Sequence, residues 1–259
     1  MTLKRPLILL TNDDGINSDG VKKINTYASL LSDNIYLTAP ENNCSGFGHS
    51  ITLSRPLRIN KLSKNIYSCD GTPTDSILLF IQEVLKGKKP DVIISGINLG
   101  SNLGDDLTYS GTVCAAFEGA LLGIKSIAVS LEKKQNSKKI NWSGIDRYLK
   151  NILKVILSKN IGKDNFININ FPDCDSSKIK GIKVVDQSRR KPGGKFLKRK
   201  DSKGNYYFWH TSIRSGTSFK GTDAWAIKNK YIAITCCNIN LSSNNYSQLS
   251  EKEFNEQFR

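Results

Sequence analysis

The sequence predicts an α/β fold, a Rossmann-like and mostly parallel sheet with helices on both faces, carrying an extended C-terminal β-hairpin. Three observations predict it. Apolar runs such as Leu7-Ile8-Leu9-Leu10 and Val92-Ile93-Ile94 suit strands buried on both faces. Stretches with apolar residues at helical spacing separate those runs, as at Val21, Ile24, Ala28 and Leu31. The runs end in polar, glycine-bearing turns, the order that a sheet covered by helices requires.

Taken in order, the strand Leu7–Leu10 stops at the turn Thr11-Asn12-Asp13-Asp14-Gly15, a helix spans Val21–Leu31, and Ile35–Ala39 forms a second strand stopped by Pro40. An irregular stretch, 41–70, holds Gly46 and Gly48, alternating segments around Ile51–Leu53 and Leu57–Ile59, and the strand-like Ile66-Tyr67-Ser68. Gly71-Thr72-Pro73-Thr74-Asp75 opens a helix over about Ser76–Leu85, with Pro73 in its first turn and Thr or Asp as cap. Asp91–Ser95 is a buried strand ending in Gly96-Ile97-Asn98-Leu99-Gly100, and a glycine-bearing loop over Gly104–Thr112 leads into a helix at Val113–Leu122. Ile127–Leu131 is a strand, the Lys-rich 132–139 a surface excursion, Gly144–Leu157 a helix and Phe166–Asn170 a strand halted by Pro172.

From about Lys178 to Trp225 the chain becomes basic and rich in Gly and Ser. It carries Tyr206-Tyr207-Phe208-Trp209 in a strand-like setting, read as one arm of an extended hairpin that either packs on a partner subunit or tucks in. Tyr231–Thr235 completes the strand set. The division that follows is a Rossmann-like catalytic core over 1–177 and, over 178–259, a hairpin and tail that complete the sheet and mediate oligomerisation.

With 38 Lys and Arg against 23 Asp and Glu, the formal charge of +15 favours phosphates, nucleic acid or acidic surfaces without choosing among them. Lysines are scattered from Lys22 to Lys252 rather than gathered on one segment, so biased composition explains the charge better than a nucleic-acid face does. The densest basic run is Arg189-Arg190-Lys191 with Lys195, Lys198, Arg199 and Lys200. Six cysteines without a CxxC pair, and only two histidines, argue against structural zinc and for reduced thiols, hence a cytoplasmic location. The apolar run near the N-terminus is too short for a signal peptide, and no segment approaches a membrane span.

In an open parallel sheet the carboxyl ends of the strands form the ligand crevice, so the loops at Asn12–Gly15, Gly96–Gly100 and Ser110–Thr112 belong to one site. Asp13 and Asp14 are adjacent carboxylates that raise each other's pKa, and a hard cation such as Mg²⁺ or Mn²⁺ relieves that repulsion. Taken alone, Asp-Asp-Gly is better explained by a solvated turn with one Asp capping the next helix, and it is the neighbouring loops that strengthen the cation reading. Asn98 adds an amide between glycines, and Ser110-Gly111-Thr112 opens a helix whose N–H groups and dipole suit a phosphate, although plain N-capping needs no ligand. His49 and His210 are candidate acids only by residue type and read better as bystanders, Asp105 and Asp106 as loop caps, and no residue stands out as general acid.

Those segments, together with Ala39-Pro40, Ser45-Gly46, Gly71–Asp75 and Asn102-Leu103-Gly104-Asp105-Asp106 through Tyr109–Thr112, closely resemble in order the signature segments of the SurE survival-protein family. The resemblance is dense over Leu7–Leu131 and continues more loosely through Asn168–Pro172 and Gly221-Thr222-Asp223. It implies a phosphatase that hydrolyses nucleoside 5′- and 3′-monophosphates with one divalent cation per subunit, Mg²⁺ or Mn²⁺, some members also trimming short polyphosphate. It also implies a C-terminal swapped element joining a homodimer or homotetramer. Position by position, Asp13, Asp14, Ser45 and Asn98 match the metal ligands, and Ser110, Gly111 and Thr112 the phosphate-contacting turn. Asn12 and Gly46 shape the pocket. The chain departs from the family pattern at Asn17-Ser18-Asp19-Gly20 and at Cys236-Cys237-Asn238.

The rival reading is a non-catalytic polyanion or RNA-binding protein using the basic C-terminal arm, whose binding would weaken with salt and survive chelation. With the phosphatase reading, no stable nucleic-acid partner and no membrane are expected. No strand runs into GxGxxG, which removes the main support for a dinucleotide-binding enzyme.

Overall fold

The computed structural model describes residues 5–133, 139–189, 196–210 and 218–242, together with residue 255. Arg190, Lys191 and Lys195 of the basic run lie outside the described residues, as does the tail after 242 apart from residue 255.

Among the described residues, nine strands form one sheet and two form a separate hairpin. The first sheet strand, β1 (Ile8–Thr11), pairs in parallel with β2 (Ile35–Pro40) on one side and β5 (Val92–Leu99) on the other. Beyond β2 lie β4 (Ile66–Cys69) and the antiparallel edge strand β3 (Ile59–Ser63). Beyond β5 come β6 (Lys125–Leu131), β7 (Asn165–Phe171), the antiparallel β11 (Ile232–Asn238) and the short edge strand β8 (Ile182–Val184). The mostly parallel, doubly covered sheet matches the fold class read from the apolar runs.

Alternation along the strands explains the layering. Ile8 and Leu10 of β1, Val92 and Ile94 of β5, and Ile127, Val129 and Leu131 of β6 point to one face. There they meet α1 (Asp19–Ala28) through Val21, Ile24 and Ala28, and α4 (Ser143–Ser158) through Ile145, Leu149, Ile152 and Leu153. Leu9 and Ile93 point the other way, onto α2 (Pro73–Leu79) and α3 (Gly111–Leu121).

Several boundaries differ from the sequence reading for identifiable reasons. Helix α2 begins at Pro73, because Thr72 caps the backbone N–H of Asp75 while the Asp75 carboxylate accepts from Thr72 N–H at 2.9 Å. It then widens into a π-helical turn over Phe80–Val84. Ile51–Leu53 forms no strand, and the alternating segment pairs only over Ile59–Ser63. Helix α5 (Asp223–Lys228) and strand β8 are elements the apolar periodicity did not indicate. The basic arm is an antiparallel hairpin of β9 (Phe196–Lys200) and β10 (Tyr206–His210), exposed along its length.

Helix α1 lies close enough to β5 that a Cβ on Gly20 would fall 1.9 Å from the carbonyl oxygen of Ile97. This is a reason for glycine within Asn17-Ser18-Asp19-Gly20, since the contact is with backbone that cannot rotate away. Gly20→Ala is therefore expected to lower the thermal midpoint by roughly 2–12 °C, the effect of about 1–3 kcal/mol of overpacking in a chain of this size. An unchanged midpoint in a circular-dichroism melt would contradict this packing.

Candidate active site

After β1 the chain builds strands first on the β2 side and then crosses to β5, so the sheet order reverses between β1 and β5. A crevice opens where neighbouring connections leave in opposite directions, and ligands of open α/β sheets bind there. The predicted residues sit at this point.

The turn after β1 is held by Asn12, whose Nδ2 donates to the carbonyl of Gly15 at 3.0 Å and to Ser18 Oγ at 2.7 Å. Asn12 is buried, and its Oδ1 has no hydrogen-bond partner among the described residues. Gly15 leaves the turn at φ +100°, a conformation that favours glycine.

Asp13 is almost fully buried. Its carboxylate accepts from the Thr112 hydroxyl and from the backbone N–H groups of Gly111 and Thr112. Burial nevertheless outweighs these donors and raises its pKa. The first turn of α3 lies against this side chain: a Cβ on Gly111 would fall 2.6 Å from Asp13 Cβ. Ser110 caps the helix, its Oγ accepting from Val113 N–H at 3.1 Å. The turn expected to cradle phosphate thus also secures Asp13, and Thr112, fully buried, gives its hydroxyl to that carboxylate.

Asp14 is partly buried and pushed up to about 6, first by burial and then by the charge of Asp13. The Leu99 N–H, the charge of Lys133 and the Ser45 hydroxyl act in the opposite direction. This brings the β2–β3 loop and the end of β5 to the same carboxylate. Asn98, beside Leu99, donates through Nδ2 to the Gly100 carbonyl at 2.8 Å, which leaves its Oδ1 as an acceptor. The Ser45 loop is tied on both sides: Cys44 N–H donates to the Asp13 carbonyl at 2.7 Å and Gly48 N–H to the Tyr109 carbonyl at 3.2 Å. Gly46 takes φ +83° between these anchors.

Asn12, Asp13, Asp14, Ser45, Asn98, Ser110, Gly111 and Thr112 therefore fall on connected segments around one crevice. His49 is engaged elsewhere, 2.7 Å from Glu118 and edge-on to Phe117, while His210 lies on β10 against Phe196. Asp105 sits 3.8 Å from Arg189. Leu99 and Lys133 were not singled out in the sequence, because a backbone N–H and a loop lysine carry no motif.

Among the described residues no group of three or more His, Cys, Asp and Glu is placed to hold a metal. The crevice instead offers two carboxylates, a hydroxyl and an amide, an all-oxygen set that fits a hard divalent cation and poorly suits a soft one. Burial raises the pKa of both aspartates, and at Asp14 the charge of Asp13 adds to it.

Residues 8–193 match the family described as Survival protein SurE. The chain belongs to the SurE family. A Paramagnetospirillum magneticum relative named 5′-nucleotidase SurE is 43% identical over 229 residues, covering 88% of this chain and 88% of its own. One from Erythrobacter litoralis with the same name is 40% identical over 253 residues, covering 95% and 99%. The crystal structure of the SurE protein from Aquifex aeolicus superposes with a TM-score of 0.81 at 36% identity, covering 97% of this chain and 100% of that one. The SurE match thus includes the strand ends, the Ser45 loop and the start of α3.

The Asp14 shift has a measurable consequence. Its folded pKa lies above the ordinary carboxylate value, so the stability it contributes is present below about pH 4 and lost as pH rises through about 6. In chelator, the thermal midpoint of wild type should fall relative to Asp14→Asn across that window, by roughly 2–6 °C. A difference independent of pH would contradict the buried, repelled carboxylate.

Proposed function

We propose that this protein is a divalent-metal-dependent phosphatase that releases phosphate from nucleoside 5′-monophosphates, with 3′-monophosphates and short polyphosphate as further substrates. The observation that carries this reading is the adjacent pair of buried or partly buried carboxylates at the sheet's switch point, Asp13 against the N-terminal turn of α3 and Asp14 beside Ser45 and the end of β5. The name 5′-nucleotidase SurE of its relatives supports the nucleotide as substrate. Six free cysteines suit a reducing cytoplasm.

Asp13, Asp14, Ser45 and Asn98 would hold one Mg²⁺ or Mn²⁺. When bound there, such an ion supplies Lewis acidity at a phosphoryl oxygen and lowers the pKa of a coordinated water. Asp13, fixed by Thr112 and the α3 backbone, orients the attacking water. Ser110 and Gly111, at the positive end of α3, stabilise negative charge on the phosphate oxygens. Asn12 shapes the floor and presents its unpartnered Oδ1.

Asp13→Asn should lower metal-dependent phosphate release at least a hundredfold while the far-ultraviolet spectrum stays that of wild type. EDTA should abolish release and added Mn²⁺ or Mg²⁺ restore it. Turnover that persists in chelator would sink the proposal. A polyanion binder would instead keep its partner in EDTA and lose it with salt.

We also propose that residues 1–177 form the catalytic core and that 178–259 complete the sheet and join a homodimer or homotetramer. The β9–β10 hairpin supports this, because Leu197, Tyr206, Phe208 and Trp209 are all exposed on it. Replacing Leu197 and Trp209 together with Ser should reduce the mass measured by light scattering to a smaller assembly. An unchanged mass would remove the arm from the interface.

A further inference from the structure

Across the Ser45 loop from the α3 turn lies a second cleft of about 210 Å³, with Phe47, Asn42, Thr52 and Arg55 among its walls. Resting on the nucleotidase reading, we propose that this cleft is the nucleobase subsite and that Phe47 is its stacking surface.

The first support is continuity. The loop that forms this wall is the one that presents Ser45, and its Cys44 N–H is bonded to the Asp13 carbonyl at 2.7 Å. On the other side, the carbonyls of Glu41 and Asn42 lie 3.4–3.6 Å from where a Gly15 Cβ would stand, one residue beyond Asp14. The cleft therefore shares its backbone with the segments that carry the carboxylates. A nucleotide whose phosphate sits at Asp13 and Asp14 has its nucleoside tethered beside this wall.

The second support is the chemistry of the cleft. Phe47 is 59% exposed, so its ring gains little from folding, and it stands in a cleft that also holds the side chains of Asn42, Thr52 and Arg55. A planar aromatic face beside amide and guanidinium donors suits a base, which presents a π-face and a polar edge. Arg55 is held in place by Asp70, 3.2 Å from its Oδ2, and the Asn42 side chain is exposed at the rim. The loop reaches this geometry without bending around a bulky residue, because Gly46 and Gly48 both take positive φ on either side of Phe47.

The test compares two substrates that differ only in the base, a nucleoside 5′-monophosphate and ribose 5-phosphate, each assayed with Mn²⁺. Phe47→Ala should lower the ratio of their kcat/KM values roughly 5- to 100-fold, through a higher KM for the nucleotide, as expected for loss of one base–aromatic stack. Phe47→Trp should keep the ratio. A ratio unchanged in Phe47→Ala overturns the subsite while leaving the nucleotidase reading intact. If light scattering then shows a smaller assembly, Phe47 is a subunit contact. Failure of wild type to release phosphate from any nucleoside monophosphate would instead overturn the nucleotidase reading.

Discussion

The constraint on which the site depends is the burial of Asp13 beneath the first turn of α3. A carboxylate removed from water is costly unless donors or a cation compensate it. Here the helix supplies part of that compensation through two N–H groups and the Thr112 hydroxyl. The approach is close enough to demand glycine at position 111. Helix, strand end and carboxylate therefore form one unit, and displacing α3 would uncover the charge.

The remaining support lies under the next strands. Asn102 donates its backbone N–H to Asn170 Oδ1 at 2.8 Å and its Nδ2 to Ser130 Oγ at 2.9 Å, while its carbonyl accepts from Asn168 and Asn170. Asp223, fully buried at the start of α5, accepts from Gly104 N–H at 2.9 Å and Ser188 N–H at 3.0 Å. These bonds fix the segment between the end of β5 and α3, joining the C-terminal part of the chain to the crevice. Buried networks of this kind favour one geometry because each broken bond leaves a further orphaned polar group.

Much of this was legible in the residues. Apolar runs such as Val92-Ile93-Ile94 announce doubly buried strands because each face of the sheet is covered, and Asp13-Asp14 at a strand end announces charge in a crevice. What stayed hidden depends on three-dimensional approach. Nothing in Ser110-Gly111-Thr112 says that Thr112 donates its hydroxyl to a carboxylate 99 positions earlier. Strand β8 is three exposed residues with no alternation to read, and α5 is too short to show a helical stripe. The cleft beside Phe47 arises from loop closure across Gly46 and Gly48, which periodicity does not register.

The two aspartates, though neighbours in the chain, occupy different surroundings, and that difference suggests a division of labour. Asp13 meets protein donors, the Thr112 hydroxyl and the first-turn N–H groups of α3. Asp14 is reached by a serine hydroxyl from a glycine-flanked loop, by one backbone N–H and by the charge of a surface lysine. The enclosed carboxylate is compensated in part by the protein's own donors, and the partly exposed one is left open to a further charge. A fold that places both at the reversal point of its sheet concentrates buried negative charge there, and the proposed hard-cation site rests on that charge.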